Sequence, residues 1–378
     1  GSLWFSDSSR TFPRIANFQN KPLASFGSAK DSLIDAYIFD NGAWQQFGQP
    51  NFAKAHSYFS RMVVYNDSVY FSYREISLKP SVSTYANGTW TSLGSPSTNS
   101  ASGLYPIIYN DTLFLSLIDF GSATQPNCAK YIHQTNTWLY NPSVPIVSQT
   151  AAQNSYMAQW GDTLFAAFHH GTDLNIYKYF AGKWLFHSNV GSYPTGTPQI
   201  TLKVNPFNNS FYIAVHIVTS GNLLVVKKFV NGAWQSQGPQ RTIVSGSTIQ
   251  NIEMNFVSSM PFITFQQSNI VKVNKFDGLN TWIDISPSVL VPDICDNTTM
   301  TVIGDTIFAI MRRKSDNKIS VIKYPVLNLP ATIMAPTTLT VCAGTSGLQI
   351  PIKIRDESTT TLTGLTATSS NTTLISNS

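Results

Sequence analysis

Apolar residues in this chain come in short runs, broken repeatedly by Asn, Asp and Gly. In Met62–Gly94, MVVYNDSVYFSYREISLKPSVSTYANGTWTSLG, two such runs flank Asn66-Asp67-Ser68, and two more flank Asn87-Gly88 where the last carries Trp90. Asn-Asp and Asn-Gly between β-prone runs mark tight hairpins, because both central residues of the favoured turn need φ > 0. The window therefore predicts four short antiparallel strands joined as a meander.

The pattern recurs. First hairpins read VVYNDSVYFSY, IIYNDTLFLSL, AQWGDTLFAAF, NPFNNSFYIAV, VSSMPFITF and VIGDTIFAIM, with a degenerate copy, ANFQNKPLASF, at Ala16–Phe26. Fourth strands carry Trp44, Trp90, Trp138, Trp184, Trp234 and Trp282, spaced 46 to 50 residues apart. A fixed period of that length signals a repeat architecture. The last unit ends in KISVIKYP without an NGxW strand, so Leu3–Ser6 is expected to supply its fourth strand, with Trp4 completing the column. Such closure removes the exposed edges that invite aggregation. The expected fold is all-β: a seven-bladed β-propeller over residues 1–328, closed by the N-terminal strand.

The NGxW-ended units resemble those of the kelch-like and seven-bladed lectin propellers. For the lectins the resemblance implies sugar pockets between neighbouring blades, lined here by Trp4, Trp44, Trp90, Trp138, Trp184, Trp234 and Trp282. Read from the residues alone, each Trp packs the outer edge of its blade. After the propeller, LPATIMAP (329–336) reads as a linker. Residues 337–378, rich in Thr and Ser with β-alternation, resemble the opening strands of Ig-like or cadherin-like stalk repeats. A partial Ig-like sandwich is expected there, at one end of a longer surface or filament protein.

Charge changes this picture little. Only 11% of residues are charged, and the net +5 is spread along the chain, which argues against a nucleic-acid partner. No apolar run approaches the ~18 residues of a membrane span. Cys128, Cys295 and Cys342 fit no zinc spacing, and either one disulfide or three thiols is compatible with them. No cofactor motif or phosphate loop appears. Sequons stand at Asn66, Asn87, Asn110, Asn208, Asn297 and Asn371. Together with the low Lys and Glu content they point to a secreted glycoprotein at the cell surface.

Aligning the units by their first hairpins gives two polar columns. The first reads Arg14, Arg61, Tyr105, Tyr156, Glu253 and Thr299, with the fifth unit ambiguous over Thr201–Lys203. The second, at the end of the second strand, reads Arg74, Ile118, His169, His216, Gln266 and Arg312. Both are expected at the mouth of the central channel, on the face opposite the tight turns, with Arg14 and Arg61 facing solvent. Arg suits anions, and Tyr suits stacking on sugar rings.

Catalysis is weakly supported. Phe12-Pro13-Arg14-Ile15 resembles the sialidase Arg-Ile-Pro motif with its proline displaced, and Asp277–Trp282 resembles an Asp-box with Lys275 in place of serine. Glycoside hydrolysis wants a positioned acid pair, and Glu253, Glu75 and Asp119 show no spacing that singles one out. Adjacent His169 and His170 on a strand point to opposite faces and share no metal. The expected function is a non-enzymatic adhesin or lectin-like head recognising a glycan or a surface protein. The alternative is a structural or protein-binding module of an extracellular assembly.

Overall fold

The computed structural model describes residues 3–4, 10–28, 31–121, 125–140, 155–170, 172–193, 199–217, 223–239, 241–242, 249–277, 281–286, 294–326, 332–334 and 353–355. Two compact units divide the chain, 1–324 and 325–378. In the first, antiparallel meanders radiate from seven inner strands: Arg10–Phe18, Ala53–Tyr65, Ala101–Tyr109, Ser155–Trp160, Gln199–Asn205, Ile249–Val257 and Cys295–Ile303. Each inner strand lies beside those of the neighbouring units, and the last returns to the first. The arrangement is an all-β propeller.

Seven separate blades were expected, and the structure has five. The first two units share one eight-stranded sheet. The physical reason is an unfilled edge. Strand Ala43–Gln46 covers Tyr37–Asp40 of strand Leu33–Asp40 and leaves Leu33 and Ile34 open. The 13-residue inner strand of the second unit begins early enough to pair there, Leu33 with Lys54 and Ile34 with Ala53. The N-terminal strand Leu3–Trp4 pairs antiparallel with Ile319–Pro325, Leu3 opposite Val321 and Trp4 opposite Ser320.

Hairpin chemistry follows the sequence. Asn66-Asp67, Asn110-Asp111, Asn41-Gly42, Asn87-Gly88 and Asn231-Gly232 all have φ > 0 at both positions, the twist that matches two paired strands. Toward this face each of the first six units is stitched to the next. The Tyr109 hydroxyl donates to the Asp162 carbonyl (2.9 Å), Trp160 Nε1 to Asn209 (2.8 Å), Asn205 Nδ2 to Ser259 (2.8 Å) and Asn255 Nδ2 to Met300 (2.9 Å). Gln19 reaches Asp67 and Tyr65 reaches Asp111 in the same sense.

The outer tryptophans act as a second set of stitches. Trp90, Trp138 and Trp282 donate their indole N–H to the carbonyls of Phe47, Leu93 and Gln237, at 3.0, 2.9 and 2.9 Å, each in the preceding unit. Trp234 donates to Ser188 Oγ at 3.0 Å. Trp90 also stacks on Phe52 with ring centroids 4.0 Å apart. The column therefore joins neighbouring units; the side chain of Trp4 lies outside the described residues.

In residues 325–378 the described ladder pairs Thr332–Met334 with Lys353–Arg355. The expected Ig-like strands otherwise lie outside the described residues, as do Cys342 and Asn371. No helix among the described residues is long and apolar enough to cross a membrane.

Candidate ligand-binding site

One irregularity recurs where the inner strands approach the axis. The register slips between Thr11 and Arg14, His56 and Arg61, Ser102 and Tyr105, Gln250 and Glu253, and Asp296 and Thr299. Phe12, Gly103, Asn251 and Asn297 take φ > 0 within these slips. Such bulges bend a strand and re-aim the next side chain. The residue that follows each bulge is a member of the first polar column.

Behind that column stands a row of mostly small partners. Arg14 is opposite Ser25, Arg61 opposite Ser72, Tyr105 opposite Ser116, Tyr156 opposite Ala167 and Glu253 opposite Thr264. In the fifth unit Thr201 stands opposite Ala214, which settles the ambiguity: Thr201 holds the column. Lys203 lies two residues on, along the same face. What hid this in the sequence is a turn of four residues, 206–209, where the other units use two.

The column converges on a cavity of about 410 Å³ lined by Arg14, Arg61, Tyr105, Lys203, Glu253 and Thr299. Its wall continues through Asn17, Val64, Ile107, Gln159 and Asn255, toward the hairpin ends of the inner strands. This corrects the expected placement, which put the opening on the face opposite the tight turns. Tyr156 sits against the column, its ring 5.2 Å from that of Tyr105.

Arg14 and Arg61 were expected to face solvent. Arg14 is only 4% exposed. Its Nε donates to the Ser60 carbonyl at 2.6 Å and its Nη1 to the Pro13 carbonyl at 3.0 Å, so it braces the first inner strand against the second. Arg61 is half-buried and donates to the Tyr156 hydroxyl and the Ser60 carbonyl, both at 3.4 Å. The bulge preceding each arginine turns it inward, which strand alternation alone does not foresee.

The charges interact across units. Lys203 Nζ and Glu253 Oε1 form an ion pair at 3.0 Å. Burial alone would push Lys203 down, but Glu253 and Tyr105 outweigh it and hold the ammonium above its ordinary value. Burial, then repulsion from Arg61, pushes Arg14 down. Burial also acts against the charge of Arg61, where Tyr156 and Glu253 reverse the sign and raise it. Burial raises Tyr105, which stays a neutral hydroxyl.

The second column does not reach the cavity. None of Arg74, Ile118, His169, His216, Gln266 and Arg312 is in its lining. His169, His216 and Gln266 are buried, and Gln266 accepts from the Asn297 backbone N–H at 3.1 Å. Arg312 holds Asp296 through two hydrogen bonds. These residues consolidate the sheets on the far side of the bulges.

Of the acids weighed for catalysis, Asp119 is fully buried; it binds Tyr140, Ser97 and Asn99 and accepts from the Gly121 N–H at 2.7 Å. Glu75 accepts from Ser77 at 3.0 Å and is not in the cavity lining. No group of His, Cys, Asp and Glu among the described residues could hold a metal. Among the sequons, Asn66, Asn87, Asn110 and Asn208 are exposed at turns, but Asn297 is buried and its amide donates to Asp296 at 3.0 Å. Its expected glycosylation is incompatible with that packing.

A second cavity, of about 490 Å³, opens between the third and fourth units and is lined by Tyr109, Phe114, Lys130, Tyr179 and Phe180. It has the place of an inter-blade pocket, but tyrosines and phenylalanines line it instead of the tryptophan column.

No family model and no curated protein matches the chain. Solved structures do. AofleA from Arthrobotrys oligospora is 13% identical with a TM-score of 0.51, covering 76% of this chain and 90% of its own. SapL1 lectin in complex with alpha methyl fucoside is 12% identical with a TM-score of 0.52, covering 73% and 96%. An ulvan lyase from a polysaccharide lyase family is 11% identical with a TM-score of 0.54, covering 85% and 95%. At these identities the likeness is one of fold, and the fold it supports is a β-propeller of the kind found in lectins and in enzymes alike.

Proposed function

We propose that this chain is a carbohydrate-binding head of an extracellular or surface protein, binding without catalysis in the axial cavity. The observation that carries the reading is the convergence of the bulge-directed polar column on one cavity of about 410 Å³. That volume falls within the ~300–1,000 Å³ of small-ligand pockets. The Tyr105 ring in its lining offers an apolar face of the kind that sugars stack on. The likeness to lectin propellers supports the carbohydrate class.

Binding is preferred to hydrolysis for a chemical reason. Glycosidases of both stereochemical courses commonly use two carboxyl groups. The described lining offers one, Glu253, and it is ion-paired to Lys203. The surface setting rests on the exposed sequons at Asn66, Asn87, Asn110 and Asn208 and on the stalk-like composition after residue 336. An immobilised glycan array tests the reading. Wild-type protein should bind a defined subset of glycans, and Tyr105→Ala, which also loses the ring packing against Tyr156, should remove that binding at temperatures where the variant is folded. A silent array, or binding indifferent to Tyr105, overturns it.

A further inference from the structure

We propose that the axial cavity selects an anionic saccharide, seating its carboxylate or sulfate group against Arg61. This rests on the carbohydrate reading and adds the sign of the ligand's charge.

The argument begins with the lining. Three cations, Arg14, Arg61 and Lys203, face one carboxylate, Glu253, among the described residues. Lys203 already holds that carboxylate at 3.0 Å. Arg14 is taken up in bracing the inner strands, which leaves Arg61 to meet a ligand, in a site where burial makes charge expensive unless it is compensated. Among the described residues Arg61 meets only neutral oxygens at hydrogen-bond range, the Tyr156 hydroxyl and the Ser60 carbonyl, both at 3.4 Å and therefore weak. A guanidinium so placed retains donors for a planar or tetrahedral oxyanion, whose charge-assisted bonds are shorter and stronger.

A second observation points the same way. Thr299 lines the cavity and is 7% exposed, and its hydroxyl has no hydrogen-bond partner among the described residues. It is a small neutral donor beside the excess positive charge. Tyr105 borders the same space, its ring backed by Tyr156, and would face the sugar ring that carries the anion.

The test is a calorimetric titration of the full chain with 3′-sialyllactose, 3′-sulfolactose and lactose, which separates carboxylate from sulfate and both from a neutral sugar. At least one acidic ligand should bind at least about tenfold more tightly than lactose, as a charge-assisted bond predicts. Arg61→Gln should weaken that binding about tenfold or more, and Arg61→Lys should recover part of it. Lactose binding as well as the acidic sugars overturns the charge inference and leaves the carbohydrate reading standing. Binding lost on Tyr179→Ala but kept in Arg61→Gln moves the site to the inter-unit cavity and overturns the inference. If none of the three binds, a thermal shift with glucuronate and with inorganic sulfate decides the matter. An Arg61-dependent shift with glucuronate keeps both readings, one with sulfate alone keeps the anion site and sinks the carbohydrate reading, and no shift sinks both.

Discussion

Lys203 and Glu253 meet at 3.0 Å although they stand on the inner strands of different units. The pair neutralises the one carboxylate of the described lining and leaves the arginines to set the charge of the cavity. Glu253→Gln should therefore do two opposite things. It should destabilise the fold by about 1–3 kcal/mol, below the ~3–5 kcal/mol of a fully buried broken pair, because both groups retain some solvent contact. It should also tighten any anionic ligand. Chemical denaturation and titration of the same variant check both signs.

Arg14 and Arg61 should separate in their effects. Arg14→Ala removes a bond at 2.6 Å to the Ser60 carbonyl, which keeps the weaker Arg61 contact, for an expected loss of about 1–3 kcal/mol. Arg61→Ala breaks only the two 3.4 Å contacts and should shift stability by less than about 1 kcal/mol while weakening ligand binding. Melting curves that rank the two variants the other way would contradict the assigned division between brace and binder.

Trp90→Phe tests the stitching role of the tryptophan column. The variant retains an aromatic surface against Phe52 but strands the Phe47 carbonyl, at an expected cost of about 1–3 kcal/mol. Trp90→Ala should cost about 3–5 kcal/mol. Neither change should alter ligand affinity once folding is restored at lower temperature, since Trp90 is absent from the cavity lining. Lost affinity in folded Trp90→Phe would return the column to the ligand site.

His187 gives the pH dependence. It lies between the rings of Phe165 and Phe229, centroids at 5.0 and 5.2 Å. Burial, then Lys178, holds its pKa below the ordinary histidine value. A depressed group contributes stability above its unfolded pKa, about 6.5, and that contribution is lost as pH falls, because the unfolded chain takes up the proton first. The melting temperature should drop between pH 7.5 and 5.5, and His187→Gln should flatten that drop. An equal drop in both proteins would assign the acid limb to other groups.

The sequence by itself determined the repeat, the strand polarity and the tight turns. These depend on local chemistry: Asn, Asp and Gly accept φ > 0, as at Asn66-Asp67 and Asn87-Gly88, and alternating apolar residues fit a strand buried on one face. The first polar column was legible as well, because each member stands at a constant offset from a hairpin turn. Tertiary structure alone decided three things. The bulges that turn Arg14 and Arg61 inward come from the fit between paired strands, and no residue type marks them in advance. Sharing of an eight-stranded sheet by the first two units depends on an edge left open by a short partner strand, a length that pairing sets. The Lys203–Glu253 pair required two strands, 50 positions apart in the chain, to be brought side by side, and only the packing of neighbouring inner strands does that.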